Sequence, residues 1–300
     1  MNGVLIIDKP ARLTSHDVVN RVRRIIGQRS VGHLGTLDPL ATGVLPVVFG
    51  TLTRLAQFYS NSEKRYEGRI RFGFATDTYD SEGDPVGPQR SVTLSLDDLR
   101  HAAQRFHGTI EQMPPPFSAK KIHGVPAYKL ARKKKPVTLK AVQVEISEFQ
   151  IVSFENDCAE FSARVASGTY MRSVAHDLGA ALGCGGHLES LRRTGVAEFT
   201  IVESHTLEEV ETACQAGKCD DVCVHPRKLM PDMPSVTVTD EVAAHIRSGR
   251  AVNLPDFSRA KQVKVFYGQA ELLAIATRVA GTLFHPKIVL ASEPAVPAAG

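Results

Sequence analysis

The sequence predicts an α+β fold with a small β-rich unit at its C-terminus. Strand-like and helix-like segments intermix along the chain without the regular alternation that builds a parallel sheet. Residues 66–74 alternate apolar and polar side chains with a period of two, which is typical of a strand with one buried face. Pro226, Pro231 and Pro234 mark a boundary, and several short β-like runs follow them.

The chain opens with a strand and a capped helix. Residues 4–7 form an apolar run that predicts a strand. Thr14 or Ser15 is in position to cap the helix that follows, and Gly27 is in position to end it. The helix is predicted from an apolar stripe at helical spacing, which consists of Val18, Val19, Val22, Ile25 and Ile26.

The next part of the chain combines two strands, two helices and an acidic turn. Strands are predicted at 44–49 and 66–74, with a helix at about 52–59 between them. The acid-rich segment 77–84 lacks the spacing of a calcium-binding loop, so we interpret it as a turn. Ser95 then caps an amphipathic helix whose first turn is acidic.

The second half continues this pattern and ends in short strands. Residues 144–154 and 158–165 predict two paired strands, and residues 171–182 predict a helix. A short helix at 240–247 opens the C-terminal unit, and the composition of residues 293–300 predicts a flexible tail. Four β-like runs complete the unit, at 251–254, 262–266, 271–276 and 283–289.

Length and composition favour a folded cytoplasmic protein. The 300 residues are 43% apolar, and no apolar run approaches the ~20 residues that a membrane span needs. The N-terminus lacks the residue order of a signal peptide, so we expect a cytoplasmic location. The five cysteines are accordingly expected to be reduced thiols.

One cysteine cluster leaves a metal site open as an alternative. Cys214, Cys219 and Cys223 precede His225 within a short stretch, and such residues can bind zinc. Their spacing differs from that of common zinc fingers, in which two cysteines lie two residues apart. Cys214 also lies on a predicted helix, where free cysteines are usually buried. We therefore predict no metal site.

Positive charge is concentrated in one segment of the chain. The net charge is only +4, but residues 112–144 contain eight Lys or Arg and no acidic residue. A solvated loop is one interpretation, and a surface for nucleic acid is the favoured one. Lys9 either contacts phosphate or belongs to a turn. The other candidate contacts with nucleic acid are Lys120, Lys121, Arg132, Lys133, Lys134 and Lys135.

Residues 32–45 form a loop rich in glycine that displays a single acid, Asp38, beside a buried strand. Glycine allows the backbone to approach a ligand closely, and Pro39 restricts the conformation of the residue before it. A rigid loop that presents one carboxylate suits catalysis, although an acid before proline is also common in ordinary turns. The residue types alone leave both interpretations open.

Several motifs, in the same order along nearly the whole chain, resemble the TruB family of bacterial tRNA pseudouridine-55 synthases. In that family the acid of the loop motif, here Asp38, is catalytic. The other segments that carry the resemblance are 3–10, 64–66, 114–119, 168–173, 183–188 and 191–194. The resemblance implies a pseudouridine synthase fold with a mixed, largely antiparallel central sheet and flanking helices.

The resemblance also implies a division of the chain into domains. Residues 1–230 would form the catalytic domain, with an RNA-binding insertion at about 112–140. Residues 235–292 would form a small β-barrel similar to a PUA domain, an RNA-binding module. This last match depends on the order of the elements and on their strand pattern.

The site residues take their roles from the same resemblance. Arg172 would pair with Asp38 and orient it. Tyr66 would stack on the target uracil close to C5, where a proton must be transferred. Tyr170 and Leu191 would form the apolar walls of the pocket. His33 would support base flipping.

The implied activity is isomerisation of uridine 55 in the T-loop of tRNA to pseudouridine, without metal or other cofactor. The implied partners are the T-arm and acceptor arm of tRNA, with no guide RNA and no membrane, and the protein would be a monomer. Two alternatives remain. The first is an RNA-binding chaperone for tRNA folding with a secondary modification activity, and the intact Asp38, Tyr66 and Arg172 argue against it. The second is a guide-dependent enzyme similar to the dyskerin family, and the segment 114–119 favours the stand-alone type.

Overall fold

A computed structural model describes residues 1–117, 121–122, 125–126 and 139–290, with the backbone alone described at 121–122 and 125–126. The predicted tail at 293–300 lies outside these residues. In the described part of the chain, no helix is long and apolar enough to cross a membrane. Its α-helices are α1 (Ser15–Ile26), α2 (Ala56–Tyr59), α3 (Leu96–Ala103), α4 (Met171–Ala181), α5 (Leu207–Gln215) and α6 (Asp240–Arg247). Short 3₁₀ helices occur at Gly50–Leu55, Gln104–Phe106, Ile201–Glu203, Cys219–Val222, Pro226–Lys228 and Pro255–Phe257.

Most of the strands belong to two sheets. The first nine strands are β1 (Gly3–Lys9), β2 (Val31–His33), β3 (Thr42–Phe49), β4 (Lys64–Phe72), β5 (Ala75–Thr76), β6 (Pro85–Val86), β7 (Gly108–Gln112), β8 (Lys121–Ile122) and β9 (Val125–Pro126). The remaining strands are β10 (Val142–Glu155), β11 (Cys158–Val165), β12 (Gly186–Val196), β13 (Phe199–Thr200), β14 (Ser235–Val238), β15 (Val252–Asn253), β16 (Gln262–Tyr267), β17 (Glu271–Ala280) and β18 (Leu283–Val289).

Nine strands form the main sheet, in the order β1-β3-β12-β4-β11-β10-β7, with β2 on β3 and β13 on β12. The pairing between β12 and β3 is parallel, and the other pairings in this sheet are antiparallel. The prediction of a mixed, largely antiparallel central sheet is therefore confirmed. The parallel pair brings β12 beside the start of β3. The residues between β2 and β3, 34–41, carry Asp38 and are called the Asp38 loop below.

The C-terminal sheet has the order β14-β16-β17-β18-β15, and α6 packs against β17 and β18. Each of the four β-like runs predicted in this unit contains a strand, and the helix predicted at 240–247 is α6. The sequence analysis missed β14, although Ser235–Val238 alternates polar and apolar residues. The α+β class with a mostly β C-terminal unit is confirmed.

Local capping explains where α1 and α3 begin. Thr14, rather than Ser15, is the N-cap of α1, and its hydroxyl accepts a hydrogen bond from the Asp17 amide while the Asp17 carboxylate accepts one from Thr14. Ser95 and Asp98 form the same reciprocal pair at the start of α3. Each pair satisfies amide groups that the first helical turn leaves without partners.

Two predicted boundaries shift for physical reasons. The strand predicted at 66–74 is observed two residues earlier, as β4, and it ends at Phe72, because the following Gly73 has a φ of +105° and leaves the extended region. The helix predicted at 52–59 begins with a 3₁₀ turn from Gly50 and becomes α-helical only in α2. The acidic segment 77–84 forms the turn between β5 and β6, as predicted.

The two sheets share a hydrophobic core. Phe266 and Ile275 of the C-terminal sheet are fully buried in the same cluster as Val4 and Ile6 of β1. The 3₁₀ helix that follows β3 also binds the backbone just after β18. Thr51 Oγ1 in this helix donates a hydrogen bond to the Leu290 oxygen at 2.5 Å. The C-terminal sheet is thus packed onto β1 and β3.

The cysteine cluster differs from the expectation of five reduced thiols. Cys214 and Cys219 form a disulfide, and the Cys223 thiol lies 3.2 Å from the Cys219 carbonyl oxygen. His225 Nδ1 accepts a hydrogen bond from the Arg227 amide and caps a 3₁₀ turn. Within the described ranges, no group of three His, Cys, Asp or Glu side chains is arranged to hold a metal ion.

Candidate active site

Asp38 lies on the loop between β2 and β3, and its side chain is 41% exposed. On one side of it, Ser15 Oγ donates a hydrogen bond to the Leu37 oxygen (3.0 Å) and accepts one from the Leu37 amide (2.8 Å). On the other side, the Pro39 oxygen accepts a hydrogen bond from Lys9 Nζ at 3.3 Å. The backbone of the loop is therefore fixed on both sides of the carboxylate.

Lys9 is fully buried beneath this loop. Its ammonium donates hydrogen bonds to the backbone oxygens of Pro10 (2.9 Å), Leu13 (2.7 Å) and Pro39. Burial lowers the pKa of Lys9 to about 8. Of the two interpretations of Lys9, the structure favours the turn, because its ammonium points into the protein and is bound by carbonyl oxygens.

Arg172, in the first turn of α4, is buried and faces Asp38. Its Nε lies 2.9 Å from Asp38 Oδ2. The N–H is not aligned for a hydrogen bond, so the contact is an ion pair. The other guanidinium nitrogens donate to the Thr78 oxygen (3.2 Å) and to the Phe117 oxygen (3.0 Å). These carbonyl groups fix the plane of the guanidinium next to the carboxylate.

A second carboxylate, Asp80, completes this ionic group and was missed by the sequence analysis. It is buried, and its Oδ2 lies 3.5 Å from Arg172 Nη1. Its Oδ1 accepts hydrogen bonds from Thr78 Oγ1 (2.6 Å) and from the Glu82 amide (3.1 Å). In the sequence, Asp80 belongs to the acid-rich turn at 77–84. The spacing of that turn does not fit a calcium-binding loop and reveals nothing about a distant arginine.

A cavity of about 440 Å³ opens in front of Asp38. The structure brings all six residues of the predicted pocket to its walls, namely His33, Asp38, Tyr66, Tyr170, Arg172 and Leu191. Tyr66 comes from β4 and Leu191 from the adjacent strand β12, so neighbouring strands present both to the same space. Tyr59 and Lys64 also line the cavity, and sequence reasoning did not single them out.

The start of α4 is fixed by the end of β7. The Gln112 side chain accepts a hydrogen bond from the Tyr170 amide (2.8 Å) and donates one to the Tyr170 oxygen (3.1 Å). Ser173 Oγ donates to the Met113 oxygen at 2.7 Å. The residues that open the predicted insertion therefore also position the wall of the cavity.

His33 and Lys64, which line the cavity, have lowered pKa values. Burial lowers the pKa of His33, and the neighbouring positive charge of Arg193 lowers it further. His33 Nδ1 accepts a hydrogen bond from the Gly35 amide at 3.3 Å, which suits a neutral ring. Burial, together with Arg193, lowers the pKa of Lys64 to about 8.

Most of the predicted basic contacts lie outside the described residues. These are Lys120, Arg132, Lys133, Lys134 and Lys135. Lys121 lies in β8, where the backbone alone is described. Their role in binding nucleic acid therefore stays a prediction.

Comparison with known proteins identifies the family. Residues 23–171 match the family model of the TruB family pseudouridylate synthase (N terminal domain). Residues 172–231 match the model of the tRNA pseudouridylate synthase B C-terminal domain. A protein of Solibacter usitatus named tRNA pseudouridine synthase B is 47% identical over 97% of this chain and 100% of its own length. A protein of the same name from Syntrophotalea carbinolica is 38% identical, over 93% of this chain and 92% of its own.

Solved structures agree with these matches. The crystal structure of a Cbf5-Nop10-Gar1 complex contains a chain that superimposes with a TM-score of 0.68 at 25% identity, covering 93% of this chain and 79% of the other. A chain in an H/ACA RNP bound to a substrate RNA superimposes with a TM-score of 0.71 at 23% identity, covering 97% and 85%, and shows the shared fold. The matches to the sequence cover both the Asp38 loop and α4. The chain belongs to the TruB family of pseudouridylate synthases.

Proposed function

We propose that this protein isomerises uridine 55 in the T-loop of tRNA to pseudouridine, with Asp38 as the catalytic carboxylate. The observation that carries the proposal is the ion pair of Asp38 with the buried Arg172 at the wall of a cavity of about 440 Å³. The curated relatives are named as tRNA pseudouridine synthases, which supports tRNA as the substrate.

The reaction rearranges one nucleoside without net gain or loss of atoms. The N1–C1′ bond breaks, the uracil turns, and a C5–C1′ bond forms; C5 then loses a proton and N1 gains one. A carboxylate beside C1′ can act as a nucleophile, as in retaining glycosidases, or abstract a ribose proton, or stabilise positive charge on the sugar. Each of these roles needs an acid held in one orientation, which the contacts of Arg172 provide.

The surrounding side chains would keep the detached base in place. Tyr66 and Leu191 are both largely buried in the cavity wall, so they offer apolar surface to a uracil ring. Tyr66 would stack on the base and transfer the proton at C5. Tyr170 would form the opposite wall. His33, neutral and partly buried, would pack where the base leaves the stack.

The proposal extends to partners and location. The T-arm would bind near residues 112–140 and the acceptor arm near the C-terminal sheet, which we assign as PUA-like, in a monomeric protein of the cytoplasm. Replacing Lys133, Lys134 and Lys135 with Ala should weaken tRNA binding and reduce the slope of log affinity against log salt by roughly one unit per lost phosphate contact. An unchanged slope would show that these lysines do not contact RNA.

The decisive experiment is an assay of the purified protein on an unmodified tRNA transcript, with no guide RNA added. We expect pseudouridine at position 55 and at no other uridine, located by chemical labelling and primer extension. A product that appears only with added RNA would favour the guide-dependent alternative. Improved tRNA folding by both the wild type and Asp38→Asn, without any product, would favour the chaperone.

A further inference from the structure

We propose that Arg193 is a positioning residue that fixes the two ends of the Asp38 loop and thereby sets the place of the catalytic carboxylate. This inference rests on the proposed function for its kinetic consequence, while its structural part can be tested on the free protein. Arg193 makes no hydrogen bond to Asp38 and does not line the cavity.

The contacts of Arg193 lie on both sides of the loop. Its guanidinium donates three hydrogen bonds, from Nη2 to the Gly35 oxygen (3.1 Å), from Nη1 to the Thr36 oxygen (3.2 Å) and from Nε to the Val44 oxygen (2.7 Å). Gly35 and Thr36 precede Asp38, and Val44 follows it at the start of β3. One rigid planar group therefore joins the entry and the exit of the loop.

The backbone of Arg193 adds a second constraint at the exit. In the parallel pairing of β12 and β3, Arg193 lies opposite Gly43. A Cβ atom at Gly43 would lie 2.3 Å from the Arg193 oxygen, and the φ of Gly43 is +95°. Any larger residue would push the two strands apart, so glycine is required for this close approach.

The burial of Arg193 shows that this arrangement is specific. The side chain has no exposure to solvent, and its guanidinium binds carbonyl oxygens rather than carboxylates. A buried guanidinium is tolerated only when its donors are well satisfied. Three oriented carbonyl groups meet that condition only while the loop keeps its present conformation, so the loop and the arginine stabilise each other.

The neighbouring arginine of the same strand makes the contrast clear. Arg192 is 41% exposed and forms an ion pair with Asp8 at 2.7 Å. That pair lies at the surface, where such contacts contribute little to stability. Arg193 turns to the opposite side of β12, towards the loop, as expected for adjacent residues of a strand.

The test compares Arg193→Met with Arg193→Lys. We expect the single-turnover rate of isomerisation in Arg193→Met to fall on the order of 100-fold, because a displacement of about 1 Å in a catalytic group has such an effect. The dissociation constant for tRNA should change less than about threefold, since phosphate contacts carry affinity. Arg193→Lys should give an intermediate rate, because an ammonium cannot reach both ends of the loop with a fixed geometry.

Two readouts separate positioning from a loss of stability or charge. Amide hydrogen exchange at Leu37 and Ala41, both hydrogen-bonded within the loop region, should accelerate in both variants. In Arg193→Lys, which keeps a positive charge, the pKa of His33 should stay low while the rate still falls. Ile246→Ala, in the separate C-terminal core, provides a destabilised control whose rate should match the wild type at a temperature where it remains folded.

Three results would overturn the inference: a wild-type rate in Arg193→Met, unchanged exchange in the loop, or an equal loss of rate in Ile246→Ala. If Arg193→Met does not fold, Arg193→Lys supplies the same comparison. If the wild type itself fails to modify tRNA, the proposed function is wrong, and the exchange measurement still decides whether Arg193 fixes the loop.

Discussion

Two buried arginines lie on different sides of the Asp38 loop and are bound in opposite ways. Arg172 pairs with carboxylates, at 2.9 Å from Asp38 and 3.5 Å from Asp80, and it lines the cavity. Arg193 binds the carbonyl oxygens of the loop itself and lies outside the cavity wall. One arginine binds the carboxylate that we propose to be catalytic, and the other binds the backbone that carries it.

The difference shows how a partly exposed carboxylate can have a fixed position. An ion pair alone restrains Asp38 from one direction and weakens when either partner moves. The carbonyl contacts of Arg193, with those of Ser15 and Lys9, restrain the loop from beneath. If Asp38 is catalytic as proposed, its placement depends on contacts made beneath the loop and away from the cavity.

The largest effect is expected on the carboxylate that both arginines serve. Asp38→Asn should reduce the single-turnover rate by on the order of 10⁴-fold or more, as is typical of an essential catalytic group. The tRNA dissociation constant should stay within several-fold of the wild-type value, because the chemistry and the phosphate contacts are separate. Quantitative pseudouridine mapping and a filter-binding titration measure the two quantities; full turnover, with deamidation excluded by mass spectrometry, would contradict the assignment.

A smaller loss of activity is expected when Arg172, the arginine that pairs with carboxylates, is replaced. Arg172→Met removes the partner of Asp38 and leaves the buried Asp80 without its cation. We expect the rate to fall about 100- to 1,000-fold and the free energy of unfolding to fall by about 3–5 kcal/mol. Arg71→Met, which breaks the ion pair with Glu189 away from the cavity, is the matched control and should keep the wild-type rate. Equal losses in both variants would mean that Arg172 acts only through stability.

On the backbone side, Ser15→Ala tests a single contact of the loop. It leaves the Leu37 amide and oxygen without their hydroxyl partner in a buried place, which should cost about 1–3 kcal/mol in the free energy of unfolding. We expect a modest fall in rate together with faster amide exchange at Leu37. The control is Ser248→Ala, whose hydroxyl bonds to exposed backbone oxygens of α6. A loop that exchanges at the wild-type rate would show that Ser15 does not contribute.

The smallest effect is a pH-dependent change in stability caused by Lys64, whose pKa is lowered by burial and by the nearby positive charge of Arg193. Its pKa is about 8 in the folded protein, against 10.5 without the burial, so between these pH values the unfolded chain binds more protons than the folded one. The folded state should therefore gain stability, relative to Lys64→Met, as the pH rises from 8 to 10.5. Urea unfolding of both proteins across this range gives the difference, and a gap independent of pH would contradict the expectation. Replacement of the exposed Lys261 by Met is the control.

Much of the fold followed from local patterns in the sequence. The apolar stripe and caps of α1, the period of two in β4 and the short strands of the C-terminal unit all have local physical causes. The misplaced boundaries have local causes as well, such as the positive φ at Gly73. Strand order could not be read in this way, because pairing such as that of β12 with β3 joins residues about 150 positions apart.

The candidate site shows the same limit. The motif resemblance pointed to Asp38 and Arg172, and the structure brings the two together. Asp80 and Arg193 were missed because their meaning lies in partners that are distant in sequence, a guanidinium for one and three carbonyl groups for the other. The sequence left Lys9 open between a phosphate contact and a turn, because a lysine is usually solvated, and only the tertiary structure shows that this one is enclosed.

The core that Phe266 and Ile275 share with Val4 and Ile6 has a consequence for the spacing of the two sheets. This continuous apolar core joins the C-terminal sheet to β1 and to β3, which follows the Asp38 loop. This packing favours a fixed distance between the Asp38 carboxylate and the C-terminal sheet. If tRNA binds both places as proposed, this packing would restrict the distance between the two parts of the RNA that the protein contacts.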